Sequence, residues 1–373
     1  MPKEPSRLMM KAAFELFENE DEREEFLDAM EKGESKEQAM IVLEDRPEIK
    51  AFPRHRPLKW QPSFVERIDD SFRPSKHPFY AKGYYYTLDF SSIFSASAML
   101  VMDKPPAKIL DLCASPGGKA IFSWRAFKPE LLLCNETIRK RAGTLIGNLD
   151  RCHCTNSAVW SADPSVYARR YRETFDLVIC DAPCSGQSLL AKGDDALGCF
   201  APNMIDMNVG RQRRITGNAY HCLRPGGYLL YATCTFTPKE NERVMDWLLR
   251  EYEDLEAVEV PHLSEYRSNF SNFPSYRLYP HQGLGAGAFV CLIRKKGDRP
   301  DHPSVIEEMP CLWKYGDAVQ SRPRVDEPVA PEEPKVDKNE IIRITSARRI
   351  VKELGKGARP KPPKVKNPRK RRK

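Results

Sequence analysis

Between residues 86 and 296 short apolar runs alternate with amphipathic stretches. The runs at 108–112, 131–135, 158–161, 175–180, 228–233 and 288–293 have the length and composition of buried strands. Helical spacing falls between them, at 90–102, 118–127, 137–152, 207–223 and 239–251. Strands separated by helices of this length predict an α/β fold with a doubly wound, mostly parallel sheet, the last strand being a candidate for antiparallel pairing. Leu223-Arg-Pro-Gly-Gly is a turn signal that stops a helix ahead of the 228–233 strand.

The flanks differ. Residues 6–46 contain no proline and are rich in Ala, Leu, Met, Glu and Lys, which predicts two or three short helices with a break near Gly33. From 49 to 85 prolines alternate with aromatic and basic residues. The expected organisation is a helical segment over 1–48, a small N-terminal subdomain or entrance loop over 49–85, and the α/β domain over 86–296. A Pro- and acid-rich linker over 297–340 follows, then a short helix at 341–354 within a basic tail over 341–373.

Composition narrows the class. With 373 residues and 41% hydrophobic content, the chain can bury a substantial core. No apolar run reaches the roughly 18 residues of a membrane span, and Met-Pro-Lys-Glu-Pro lacks the apolar stretch of a signal peptide. Eleven cysteines scattered without framework spacing indicate free thiols in a reducing compartment, so the expected location is cytoplasmic. Cys152 and Cys154 flank His153 but have no partner pair at zinc spacing, so no metal site is expected. The net charge of +8 belongs to the tail: residues 355–373 hold ten Lys or Arg and no acid, which leaves −2 for the rest. Such a tail binds polyanions in a salt-dependent way. Arg54, His55, Arg56 and Lys59 beside Trp60 either track a phosphate backbone or are solvated charges in a linker.

The candidate chemistry lies at the predicted strand ends, where open α/β sheets bind ligands. Asp111 opens a strand–turn–helix loop comprising Cys113, Ala114, Ser115, Pro116, Gly117, Gly118 and Lys119. Its paired glycines let backbone approach a ligand at a helix start. Glu136 follows the second strand, where an acid accepts hydrogen bonds from ribose. Asp163 follows the third, in reach of an adenine amine, and Asp181 the fourth. Each acid alone is explained as a helix cap or surface charge; four in succession are not. Two thiols stand at the same edge, Cys184 in Asp-Ala-Pro-Cys-Ser-Gly and Cys234 in Ala-Thr-Cys-Thr. Cysteine suits reversible addition to C6 of cytosine, which makes C5 able to attack an electrophilic methyl group. From the residues alone, either thiol could attack. Cys113, Cys134, Cys180, Cys222 and Cys291 read as small buried hydrophobes.

These segments resemble the RNA 5-methylcytosine methyltransferases that use S-adenosylmethionine. The resemblance runs through Asp111 to Lys119, Asn135-Glu136 with Arg139 and Arg141, Phe175 to Gly186, Leu223 to Thr235, Pro238-Lys-Glu-Asn-Glu-Arg243 and Tyr279 to Phe289. It covers roughly 53–296. It implies a Rossmann-like class I methyltransferase fold with an RNA partner that presents an accessible cytosine. By residue, it implies S-adenosylmethionine along Cys113 to Lys119, Glu136 on the ribose, Asp163 on the adenine, and Asp181 near the methionine end and the target base. Cys234 is then the nucleophile and Cys184 assists breakdown of the adduct, while Lys119 and Arg141 are candidates for substrate binding. The chain departs from the family after Gly186, where Gln187-Ser-Leu-Leu-Ala-Lys-Gly193 replaces the usual glycine- and arginine-containing continuation. A monomer with no membrane partner is expected. Two rival readings share the residues. A DNA cytosine-C5 enzyme attacking from Cys184 lacks support from the Thr-Cys motif, and a noncatalytic RNA-binding protein does not need the full set of acids and thiols.

Overall fold

The structure, a computed structural model, describes residues 6–196, 198–298 and 311–317. Helices α1 (Arg7–Leu16) and α2 (Glu20–Lys32) begin at the caps Ser6 and Asn19, whose side chains accept from the N–H groups of Met9 and Glu22. Gly33, at φ 61°, ends α2 in the left-handed conformation glycine allows. The expected all-helical segment over 1–48 fails beyond this point. Gln38–Val42 is a strand, β1, and short α3 (Pro47–Lys50) follows it. Ala39 and Ile41 enter the main core while Met40 faces a second cluster with Ile49, Ile68 and Tyr85. That two-residue period places apolar side chains on both faces, and burial overrides helix propensity.

β1 is the middle strand of a small antiparallel sheet between β2 (Val65–Ile68) and β3 (Tyr85–Asp89), with α4 (Pro78–Ala81) in the connection. The expected boundary at 48/49 therefore cuts through one sheet. Trp60 is buried against Phe90 with ring centroids 5.0 Å apart, and Arg54 pairs with Glu66. Asp89 then caps α5 (Phe90–Ser97).

The α/β core follows in chain order: β4 (Lys108–Asp111), α6 (Gly118–Phe127), β5 (Leu131–Asn135), α7 (Arg139–Arg151), β6 (Ser157–Trp160) and α8 (Pro164–Arg170). β7 (Phe175–Asp181), α9 (Gln187–Ala191), α10 (Pro202–Cys222), β8 (Leu223–Thr233) and α11 (Glu242–Glu251) continue it. β9 (Leu255–Ala257), β10 (Tyr276–Leu278), β11 (Ala288–Lys295) and β12 (Trp313–Lys314) close it. The sheet order is β10-β11-β8-β7-β4-β5-β6-β12, with β9 also on β11. Strands β8, β7, β4, β5 and β6 are mutually parallel, and β11 is antiparallel to β8. The doubly wound fold is thus as expected.

Alternation along the strands divides the core. Ile109, Leu132, Val159, Leu177 and Leu230 pack on one face of the sheet, with Phe94 of α5, Phe122 of α6 and Leu145 of α7. Leu110, Leu133, Ala158, Val178 and Leu229 pack on the other, with Tyr167 of α8, Ala219 of α10 and Leu248 of α11. Two local differences have clear causes. The Leu223 turn signal does stop α10, yet Leu223 already pairs with Phe175 and pairing resumes at Tyr228 with Leu177, so 224–227 form a bulge inside β8. The sheet also extends past 296, because Trp313, only 3% exposed, pairs its strand with β6. The rest of the expected linker, the 341–354 helix and the basic tail lie outside the described residues. Among the described residues no helix is long and apolar enough to cross a membrane.

Candidate active site

Strand order reverses between β4 and β7, so the loops leaving their carboxyl ends flank the crevice in which such sheets bind ligands. The loop after β4 is laid across both neighbours. Leu112 N–H donates to Ile179 O of β7 (2.9 Å) and Ala114 N–H to Asn135 O of β5 (2.9 Å). Gly117 opens α6 at φ +119°, a conformation other residues rarely adopt. A Cβ on Gly118 would stand 3.2 Å from Leu88. No side chain caps α6 among the described residues, which leaves its first N–H groups for another acceptor.

Asn135 joins three strand ends. Its amide donates to Leu112 O and Ala162 O (3.1 Å each), and its oxygen accepts from Ala162 N–H (3.0 Å) and the Tyr167 hydroxyl (2.7 Å). Next to it, buried Glu136 accepts from Ile138 N–H at 2.9 Å and faces Arg141 at 3.5 Å. Arg141, a candidate substrate residue, donates to Ser115 O at 2.7 Å, and the Ser115 hydroxyl donates back to Arg141 O at 3.0 Å. Its partners therefore tie α7 to the β4–α6 loop and do not single it out for substrate. Asp163 caps α8 through Ser165 N–H and pairs with Arg214 of α10 at 2.7 Å. Its cap role is the ordinary one for an acid there, and its surface remains half-exposed.

Two acids face each other across the switch point. Asp111 is buried, with one carboxylate oxygen accepting from Cys113 N–H and the other without a partner among the described residues. Burial, reinforced by the charge of Asp181, pushes Asp111 up to about 8. Asp181 itself is half-exposed and pairs with the buried Lys119 ammonium at 2.8 Å.

Cys184 and Cys234 come together, Sγ to Sγ, at 3.3 Å, both half-buried and unbonded. Their loops are clamped. Glu240 accepts from Ser185 N–H (2.8 Å) and the Ser185 hydroxyl (2.6 Å). The Gln212 amide donates to Pro183 O and to Glu240, both at 3.0 Å. Ser188 N–H donates to Cys234 O (3.1 Å) and Phe236 N–H to the Gln187 side chain (2.8 Å). The surroundings of the two sulfurs differ. The hydrogen bond shared with Cys184 holds Cys234 below the ordinary thiol range, with Ser188 and Lys119 adding to this against burial and Asp181. Cys184 is pushed well up by that same hydrogen bond, by burial, by the charge of Cys234 and then by Glu240. The arrangement supplies one sulfur inclined to be a thiolate and a neighbour inclined to keep its proton.

Glu240 lies in the Pro238 to Arg243 segment already singled out for its resemblance, although its clamp was not evident there. Gln212 and Arg214 carry no sequence signal, since both sit mid-helix, far along the chain from their partners. Among the described residues no group of His, Cys, Asp or Glu is disposed to hold a metal ion.

Sheet, crevice and paired thiols define a Rossmann-like class I methyltransferase domain. Residues 98–294 match the family described as 16S rRNA methyltransferase RsmB/F, and the chain belongs to that family. A ribosomal RNA small subunit methyltransferase F from Salmonella heidelberg is 31% identical over 256 residues, 66% of this chain and 53% of the relative. The chain thus spans about half the length of the curated relatives it matches. Among solved structures, a methyltransferase homolog protein from Pyrococcus horikoshii superposes with a TM-score of 0.61 at 22% identity, covering 78% of this chain and all of its own. NSun6 from Pyrococcus horikoshii, determined with SFG, gives 0.65 at 17% identity, covering 79% of this chain and 99% of its own. These two establish the likeness of fold.

Proposed function

We propose that the chain methylates C5 of cytosine in RNA, using S-adenosylmethionine and attacking C6 with Cys234. The observation that carries this reading is the 3.3 Å contact of two thiols with unequal surroundings at the carboxyl edge of β7 and β8. The names of the curated relatives favour small-subunit ribosomal RNA as the substrate. The reading extends to a monomer acting in the cytoplasm.

The residues present fit the cofactor. It is a cation, and acids stand beyond β4, β5, β6 and β7, one of them with a buried oxygen lacking a partner among the described residues. The backbone of Cys113 to Lys119 would hold it, with Glu136 on the ribose, Asp163 on the adenine once Arg214 is displaced, and Asp181 at the methionine end. Bound there, S-adenosylmethionine supplies an electrophilic methyl group.

The chain's own residues do the rest. The Cys234 thiolate bonds to C6, which makes C5 enamine-like, and Asp181 hydrogen-bonds the cytosine edge to favour attack. After C5 is methylated, water takes its proton, the C5–H electron pair forms the C5–C6 double bond, and the Cys234–C6 bond breaks with its pair returning to sulfur. Cys184, in contact with the departing sulfur, is placed to hand it a proton. The target base must stand outside a stack for Cys234 to reach C6, and flipping it from a duplex costs a few kcal/mol, which favours a loop or single-stranded site.

Cys234→Ala is expected to abolish methylation and leave no adduct. Cys184→Ala is expected to accumulate a protein–RNA adduct that survives a denaturing gel. The opposite pattern would exchange the roles of the two thiols. Bisulfite sequencing of RNA from cells with and without the gene identifies the cytosine; an unchanged ribosomal RNA would remove that substrate.

A further inference from the structure

We propose that Glu240 is a positioning residue that fixes Cys184 as the proton-bearing thiol and Cys234 as the attacking sulfur, and that Gln212 holds it in that place. The consequence for RNA chemistry rests on the methyltransferase reading; the assignment of Glu240 rests on the geometry alone.

Glu240 is fully buried, six residues beyond Cys234, yet its carboxylate binds the other cysteine's loop. Both Ser185 donors belong to the residue following Cys184, so a negative charge is fixed on the Cys184 side of the pair. Beside Cys234 the nearby carboxylate, Asp181, is matched by Lys119. A buried carboxylate next to a thiol disfavours the thiolate, and poor solvent screening enlarges the effect. Either sulfur could donate across the 3.3 Å contact, and the charge of Glu240 favours keeping the proton on Cys184.

Burial pushes Glu240 above the ordinary carboxylate range, and the donors Ser185, Gln212 and Thr235 limit that rise by favouring its ionised form. Gln212 is spent on this task. Its one amide nitrogen serves both Pro183 O and Glu240, and its oxygen has no partner among the described residues. Helix α10 thereby holds Glu240 and the Cys184 turn in one register. The other titratable groups around the cluster are Tyr231, whose hydroxyl donates to Glu240 O at 2.5 Å, and Cys199. Burial pushes both upward, so both stay neutral and contribute no charge.

The test is peptide-resolved alkylation of the free enzyme by iodoacetamide across a pH series, in wild type and in Glu240→Gln. Wild type is expected to react first at Cys234. Glu240→Gln keeps the shape and removes the charge. The pH at which Cys184 becomes reactive is expected to fall, its reactivity at a given pH rising about tenfold per unit of that fall. Glu240→Asp keeps the charge and is expected to retain the wild-type order. Prior reaction of Cys184 in the wild type, or an unshifted Cys184 profile in a folded Glu240→Gln protein, would overturn the proposal; the wild-type result applies even where the variant fails to fold. Adduct formation separates the two readings. If Cys184→Ala forms no adduct on any RNA while Glu240→Gln shifts the profile, the methyltransferase reading fails and the role of Glu240 stands. Adduct in Cys184→Ala with an unshifted Glu240→Gln profile gives the converse.

Discussion

Cys184 and Cys234 show how charge placement separates two chemically identical side chains at 3.3 Å. The charge of Lys119 lowers Cys234 and that of Glu240 raises Cys184, and on the proposal above this difference directs the hydrogen bond between them. Asp111 is the other residue whose state is set by its surroundings. Its unfolded value is near 3.8 and its folded value about 8, so between those limits the folded chain holds a proton that the unfolded chain has released. Stability from this group therefore falls as pH rises from about 4 to about 8. Asp111→Asn, which does not titrate and still accepts from Cys113 N–H, is expected to lose that slope and to melt above wild type at the alkaline end. Melting temperatures of both proteins across this range test it, and parallel curves would refute the assignment.

At the scale of elements, strand ends are held by side chains as much as by the ladder. Asn135 ends β5 and bonds the loops beyond β4 and β6 together with Tyr167 of α8. Asn135→Ala strands several buried groups at about 1–3 kcal/mol each, so a loss of at least about 3 kcal/mol is expected in urea unfolding, with weaker S-adenosylmethionine binding through the loosened loops. A loss under about 1 kcal/mol would show that water or local shifts replace these bonds. Glu242 acts similarly at the start of α11, where it receives Arg277 of β10 and the Ser268 hydroxyl in a buried cluster. Removing one partner from such a pair is expected to cost about 3–5 kcal/mol, because the other charge is left buried. Glu242→Ala melting measures it.

Over the whole molecule, the N-terminal helices pack beside the loop that follows β8. Phe26 of α2 packs edge-on against Phe236 at 5.4 Å, and Phe17 packs against Tyr279 at 4.8 Å. Phe236 lies two residues beyond Cys234, so α1 and α2 buttress the loop that carries the proposed nucleophile. Phe26→Ala is expected to destabilise by about 3–5 kcal/mol and to slow methylation, while Phe26→Leu recovers most of both. Full activity in a destabilised Phe26→Ala protein would limit α2 to a stabilising role.

The α/β core was legible because its strands are short, apolar and separated by amphipathic helices, a local pattern that packing reinforced. The six strands expected between 108 and 293 all form, and both thiols lie at strand ends where the motifs placed them. What was not legible depends on partners distant in sequence. Gln38–Val42 reads as helix until two separate clusters claim its alternate residues, and the burial of Trp60 against Phe90 depends on a partner 30 residues away. The tie of Arg141 to the Ser115 carbonyl was not readable either. The sequence by itself determined the sheet, the acids at its edge and the presence of two cysteines, since periodicity and turn chemistry are local. Only the tertiary structure decided that the sulfurs touch, that Glu240 holds the Cys184 turn and that Lys119 pairs with Asp181. Those distances depend on loops brought together from Asp111 to Glu240, and the sign of the charge beside each thiol depends on how they fold.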